Sequence, residues 1–423
     1  MAEKEENFPF LSYQDVLEQI EQQENHLLIA NGFNYGLGVH TGYKDIFQEM
    51  LKDNFGIYGD VKRKIEECDY DLELFLQKMT DDISESNSFL RKFVCNKIKM
   101  DFMKALHGIV KSKIKNIYEE KNEGIYILLN KFTNYFTLNY DSFLYMLLLK
   151  YKKADNQNNS IVFEPTLEFI SNDLDERQNN IYTEIRDARQ NGELEITING
   201  NEATKREMSF LTKTQFTTTI KLYNKNKNKG WSNNDIDKVT NKILEEEKRN
   251  HILNHVDDGS RQLSLFNKED FIFDNNSQTQ NLFFLHGAFH IYQDGKYTKK
   301  ITQDSDHALY EKLEELLNTE GKEVVCIFES TGKLELIQQN AYLRHCYEKL
   351  ENLAGNMVII GSSLADNDAH IFNQINKSQV SKVYISSMPK EKEKNYRTAQ
   401  EKLPNKEIYL FDAETISYEK PQA

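Results

Sequence analysis

The chain has 423 residues, 39% hydrophobic and 28% charged, a balance that suits a globular protein with a large core and two or three units. Its 53 Lys and Arg against 67 Asp and Glu give a net charge of −14, which argues against broad, non-specific binding to nucleic acid. Cys68, Cys95, Cys326 and Cys346 are scattered and form no C-x-x-C pair, so neither a zinc knuckle nor a disulfide framework is expected. The longest apolar run, Phe143 to Leu149, is too short to cross a bilayer, and "MAEKEENFPF" carries no leader pattern. The expectation is a cytoplasmic protein with free thiols, no metal and no membrane contact.

In chain order, Ser12 to Gln23 has the pattern of a short amphipathic helix, and "HLLIANG" that of a buried strand ending in a turn. From about Gly42 to Lys131 apolar residues recur three and four apart, so this segment is expected to be mostly helical. "NYFTLN" is a further short apolar run, after which Asp141 is placed to open a helix through Leu149. From Lys152 to Gln280 the composition turns Asn-rich and charged, with a hairpin signal at Asn199-Gly200 and a helical pattern in "SNNDIDKVTNKILEEEKRNHILNHV". Beyond it the runs "LFFLHG", "VVCIFES", "MVIIGSS", "KVYISSM" and "EIYLFDA" alternate with helical stretches at Asp306–Asn318, Thr331–Leu353 and Asp366–Gln374. That alternation predicts βαβ units: an α/β fold with a Rossmann-like, mostly parallel sheet, helical additions and a mostly helical insertion. The expected boundaries are 1–152 and 281–423 for the two parts of the main domain, and 153–280 for the insertion.

Four polar signatures follow four of the expected strands: Asn31-Gly32-Phe33-Asn34-Tyr35-Gly36-Leu37-Gly38, Asn139-Tyr140-Asp141, His286-Gly287 and Gly361-Ser362-Ser363-Leu364. In a parallel open sheet the C-terminal strand ends share one edge, where ligands bind, so these residues are expected to converge. Each has a bland alternative. Asn31–Gly38 is either a flexible turn or a phosphate cradle whose glycines let backbone N–H groups approach an anion. Asp141 is either a helix cap or a site residue. His286-Gly287 is a turn with a surface histidine or part of the site. Gly361–Ser363 also fits a plain strand-to-helix turn. Asn139 has no local task in a capping account. Of the other polar residues, His107 fits a helix face and Trp231 a packing position. His251 and His255 stand four apart without a third metal ligand in view.

In wording and order the set resembles the sirtuins. "FTLNYD" is similar to their strand-end T-Q-N-I-D, "LHG" to the catalytic His-Gly, "GSSL" to G-T-S-L, and "ANGFNYGLG" stands where they carry a phosphate loop. The likeness is closest to the sirtuin-like NAD-hydrolysing branch of bacterial antiphage defence. That branch includes a domain-of-unknown-function family with a late G-x-S-x-x-D-x-H, here Gly361 to His370. The two C-x-x-C zinc pairs of sirtuin deacylases are missing, which sets protein deacylation aside.

The resemblance implies NAD as substrate, with Asn139 orienting a ribose hydroxyl or water, Asp141 holding the nicotinamide amide and His286 acting as base. It implies that the backbone of Ala30, Asn31, Gly32, Phe33 and Gly38 holds the pyrophosphate, and that Gly361, Ser362 and Ser363 face the adenosine ribose. Asp368 and His370 either join that contact or cap and pack a helix. The expected activity is hydrolysis of NAD to nicotinamide and ADP-ribose by an inducible, NAD-depleting defence effector. It would work as a homo-oligomer or with a partner protein of the same system. The alternatives are a non-catalytic module that senses NAD or ADP-ribose, and an ADP-ribosyltransferase.

Overall fold

The structure, a computed structural model, describes residues 8–418 except 22, 54, 82, 85, 120–122, 153–173, 192, 195–196, 199–200, 203–212, 250–255, 262–270, 274, 276, 278, 302–308, 320 and 329–331. His251 and His255 lie outside the described residues. The chain divides into two compact units: residues 1–153 with 275–423, and residues 154–274.

The first unit begins with β1 (Phe10–Leu11) and β2 (Asn25–Ile29), then runs through helices that include Tyr43–Asp53 and the long Ser88–Glu119 before β3 (Asn134–Thr137). The helix between β1 and β2, Tyr13–Gln19, starts on a capping box in which Ser12 and Asp15 satisfy each other's backbone N–H. The second unit has its own core. Ile181, Ile185, Ile220, Ile236 and Val239, from helices Glu176–Gln190, Lys213–Asn226 and Asn233–Arg249, pack together with Trp231 against them. Its strands pair antiparallel: β4 (Thr197–Ile198) with β5 (Asn201–Glu202), and β6 (Ser260–Arg261) with β7 (Phe271–Phe273).

The chain then returns to the first unit with β8 (Leu282–Phe284), β9 (Gly287–Asp294), β10 (Tyr297–Lys300), β11 (Lys322–Cys326), β12 (Ala354–Ile360), β13 (Gln379–Ser387) and β14 (Glu407–Asp412). Seven strands form one sheet in the order β1-β14-β13-β12-β2-β3-β8. Every pairing in it is parallel. The fold is therefore α/β with a Rossmann-like parallel sheet. Helices cover both faces of such a sheet, so its central strands read as unbroken apolar runs, and all five residues of β2 are buried.

Two features position the site. From β2 the chain continues outward through β3 and β8 on one side, and returns on the other side through β12, β13 and β14. Ligand crevices of open α/β sheets form at this reversal, outside the strands' carboxyl ends. The ends are also level: Ile360 pairs with Ile29, Ile29 with Thr137 and Thr137 with Phe284. Gly361, Ala30, Leu138 and Leu285 thus leave the sheet side by side.

Three expectations need correcting. "VVCIFES" does not join the parallel sheet, because β11 pairs antiparallel with β9, as does β10. An apolar run reports burial and not which strand it pairs with. Gly287 makes this arrangement possible: its φ is +77°, and a Cβ there would stand 1.9 Å from the Val325 carbonyl oxygen. The helical stretch expected at Thr331–Leu353 is two helices, Lys333–Gln339 and Ala341–Glu351, divided at Asn340, whose side chain caps the second. Finally, Asn31–Gly38 is not a flexible turn. Asn31–Gly36 is a helix closed by a Schellman motif, with Val39 N–H donating to Asn34 O and Gly38 N–H to Tyr35 O, both at 2.9 Å. Gly38, at φ +69°, is the left-handed residue that this motif requires.

Gly32 belongs to the same correction. A Cβ on Gly32 would lie 2.5 Å from Gly361 Cα, and one on Gly361 would lie 2.2 Å from Phe33 N. The two turns cross through space that only glycines leave. Gly32→Val and Gly361→Ala are each expected to cost about 2 kcal/mol or more and to lower the melting temperature by several degrees. Melting curves equal to wild type would show that the crossing is not a constraint.

Candidate functional site

A cavity of about 410 Å³ opens at the level strand ends. Ala30, Asn31, Asn139, Asp141, His286, Gly361, Ser362, Ser363 and Asp368 all line it, so nine of the residues singled out from sequence converge. Gly32, Phe33, Gly38 and His370 do not. Phe33 is fully buried, 6.5 Å from the Phe143 ring and edge-on to Tyr418 at 6.0 Å, which makes it a core residue.

The backbone cradle expected of Ala30–Gly38 is largely engaged already. Ala30 N–H donates to Ile360 O at 3.0 Å, Gly32 N–H to Gly361 O at 3.0 Å, Phe33 N–H to Ala30 O at 2.9 Å, and Gly38 N–H to Tyr35 O. A donor bound this way cannot also hold a phosphate without breaking the turn.

On one wall a polar chain links the end of β2 to the end of β3. The Asn31 amide donates to Thr41 O at 2.9 Å and accepts from Thr41 Oγ1 at 2.7 Å. Asn34 Nδ2 reaches Thr41 Oγ1 at 2.8 Å and Asp141 Oδ2 at 2.9 Å. The other oxygen of Asp141 accepts from Phe143 N–H at 2.8 Å, a local turn that holds the first N–H of helix Phe143–Tyr151, whose N-cap is Ser142. Burial pushes the Asp141 carboxyl up to about 6, against the pull of the Phe143 and Asn34 hydrogen bonds. Between β3 and Asp141, Asn139 is buried, and its backbone N–H donates to Thr137 Oγ1 at 3.0 Å. Its side-chain Nδ2 is buried and has no hydrogen-bond partner. Buried amides are almost always satisfied, and this one lines the cavity, open to a ligand or a water.

The opposite wall carries His286. Its Nε2 lies 3.2 Å from His370 Nε2 and 3.7 Å from Asp368 Oδ1, and Lys333 Nζ is 3.8 Å from the same oxygen. Burial, then the Lys333 charge, then His370 hold the His286 imidazole well below its usual range; a backbone hydrogen bond with Leu138 opposes them. Burial and Lys333 take His370 down to about 4. Both rings are therefore neutral at pH 7, the form that serves as a base. Asp368 and His370 thus stand beside His286. Asp368 precedes helix Ala369–Lys377 but makes no side-chain cap.

Sequence reasoning missed Asn34, Thr41 and Lys333. Asn34 had a signal in its i, i+3 spacing from Asn31. Lys333 had none: it stands alone in "TGKLEL", yet it is buried and, among the described residues, is the sole Lys or Arg lining the cavity. Among the described residues no group of three or more His, Cys, Asp and Glu could hold a metal ion, and no helix is long and apolar enough to cross a membrane.

A family model described as a domain of unknown function (DUF4917) matches residues 235–418, less than half of the chain. The match takes in His286, Lys333, Gly361–Ser363, Asp368 and His370, while Asn31, Asn139 and Asp141 lie outside it. No curated protein matches the chain.

The cavity's ionisable groups pull stability in opposite directions with pH. Asp141, raised from 3.8 to about 6, contributes stability that is complete below about pH 3.8 and lost as pH rises through 6. His370, lowered from 6.5 to about 4, contributes stability present above 6.5 and lost as pH falls through 4. Asp141→Asn removes the first contribution only. Denaturant midpoints measured from pH 4 to 7 should therefore rise with pH more steeply in the variant than in wild type. Parallel profiles would place the Asp141 carboxyl at its ordinary value.

Proposed function

We propose that this cavity takes the nicotinamide riboside end of NAD and hydrolyses it to nicotinamide and ADP-ribose. The observation that carries the reading is the unpartnered amide of Asn139, buried in the cavity that the neutral His286 also lines, at the switch point of a parallel sheet. The order and wording of the motifs, similar to those of sirtuins, support the choice of substrate. The resemblance alone supports the setting, an effector of bacterial antiphage defence that depletes NAD. Unchecked loss of NAD would kill the host, so such an effector needs a trigger, and we infer that assembly or a partner supplies it.

In this reading the bond between C1′ of the ribose and the nicotinamide ring nitrogen breaks, and its electron pair leaves with nicotinamide. Asp141 accepts from the nicotinamide carboxamide N–H and helps hold the ring out of line with the ribose. Asn139 Nδ2 donates to the attacking water or a neighbouring ribose hydroxyl, fixing it near C1′. His286 takes the proton released as the new C–O bond forms. The Leu138 carbonyl accepts from one nitrogen of its ring, which leaves the lone pair on the Nε2 that faces His370. His370 and Asp368 position that ring. The N–H groups of Ala30, Gly32, Phe33 and Gly38 are engaged, so we assign the diphosphate to Lys333 and the Ser362–Ser363 backbone.

Asn139→Ala and His286→Ala should each stay folded, bind NAD and lose about a hundredfold or more in kcat. Both act on one step, so the double variant should be little worse than either alone. Wild-type turnover in Asn139→Ala would reduce "LNYD" to the start of a helix and remove the assignment. Lys333→Met should instead raise KM about tenfold or more, and should move the acid limb of the kcat/KM profile upward by relieving His286 and His370 of a nearby positive charge. An unchanged KM and pH profile would take Lys333 out of the site.

A further inference from the structure

A second and larger cavity, of about 740 Å³, lies at the other side of the segment Ile327–Phe328. Its volume is in the range of ligand pockets. It shares no lining residue with the cavity at the strand ends. Tyr140 stands between the two: its hydroxyl donates to Ile327 O at 2.5 Å, and its ring lies 5.1 Å from that of Phe328.

The charge of this second cavity is one-sided. Lys92, Lys99, Lys296 and Lys322 line it, and among the described residues Glu323 is its sole carboxylate. Lys92 and Lys99 are seven residues apart on helix Ser88–Glu119, two turns along one face. Lys296 comes from the turn between β9 and β10, and Lys322 opens β11. Pairing of Lys322 with Asp294 in the β9–β11 register brings these lysines to one rim. Among the described residues none of the four is in an ion pair; Asp294, the nearby carboxylate, is taken by Lys299 at 2.7 Å. Lys99, Lys296 and Lys322 instead lie over the rings of Phe328, Tyr297 and Tyr292, at 5.2, 5.1 and 5.9 Å.

Four ammonium groups in one concavity repel each other, and a cleft of one sign concentrates ions of the other. The chain's net charge is −14, yet among the described residues Glu323 alone lines the cavity against four lysines, and Asp294 acts on Lys322 without a direct ion pair. We propose that this cavity is a binding site for a small phosphate-rich anion, with the charge of a di- or triphosphate, separate from the candidate catalytic cavity. The ammonium groups bind the phosphate oxygens, and strengthening these contacts at the expense of water is what a multiply charged ligand offers.

The site has its own reporter. Cys95 and Cys326 line it and are partly accessible, whereas Cys68 and Cys346 are buried. Inorganic tripolyphosphate titrated into the full-length protein should give saturable binding by calorimetry and should slow alkylation of Cys326, followed by mass spectrometry; adenosine should do neither. Lys99→Gln/Lys322→Gln should lower the affinity about tenfold or more and abolish the protection, while Lys333→Met leaves the protection of Cys326 in place. If that double variant melts without cooperativity, Lys92→Gln/Lys296→Gln, at two exposed positions, replaces it with the same expectation. Absence of saturable binding, wild-type affinity in the lysine variants, or a loss confined to Lys333→Met would overturn the proposal. None of these readouts uses NAD, so a failure of the catalytic reading would be seen separately.

Discussion

Gly32 and Gly361 cross at the carboxyl edge of the sheet with no room for a side chain on either, and the Gly32 N–H donates to the Gly361 carbonyl across the crossing. The rest of the site depends on that contact. It ties the turn after β2 to the turn after β12, the two strands between which the sheet reverses direction. With those turns fixed, Asn31 and Ser362 line the same cavity, and the neighbouring ends of β3 and β8 bring Asn139, Asp141 and His286 to it. The glycines serve the architecture here. A loop rich in glycine and asparagine can be read as a phosphate cradle, but hydrogen-bond accounting places its donors within the fold.

Around the cavity, polar groups are sorted by partner. On the β2–β3 side, Asn31, Thr41, Asn34 and Asp141 form a buried hydrogen-bonded chain. On the β8 side, Lys333, Asp368, His286 and His370 form a cluster in which burial, then the nearby Lys333 charge, keeps two imidazoles neutral. Buried networks of this kind are stabilising only when their members are satisfied, so an unsatisfied member is informative, and here both Asn34 Oδ1 and Asn139 Nδ2 are without a partner. Between the two groups stands the Asn139 amide, buried and unpartnered. The site is thus ordered on both sides around one donor, and such preorganisation matches the needs of a reaction in which charge develops at a single carbon.

Much of this was legible in the sequence because a parallel sheet buried on both faces writes its strands as continuous apolar runs. "HLLIA", "MVII" and "KVYISS" declared themselves that way, and the polar residues after them followed by topology. Strand partners were not legible: "VVCIFES" has the same character as "MVII", yet pairs antiparallel with β9, because burial is written in the run and register is not. Local geometry was hidden too. Asn31–Gly38 contains the left-handed glycine of a Schellman motif, a signal for a helix end that its second glycine obscured. Lys333 could not be found from sequence at all. A single lysine after a glycine is an ordinary surface pattern, and only the fold shows it buried beside Asp368.

The central claim is that the cavity at the strand ends breaks the bond between nicotinamide and ribose. Chromatography of the products formed when the full-length protein is incubated with NAD, labelled in the adenosine half, tests it most directly. The account predicts nicotinamide and free ADP-ribose in equal amounts, with no label on the protein. NAD bound and recovered intact would make the chain a sensor, and label retained on protein or nucleic acid would make it a transferase; either result would contradict hydrolysis.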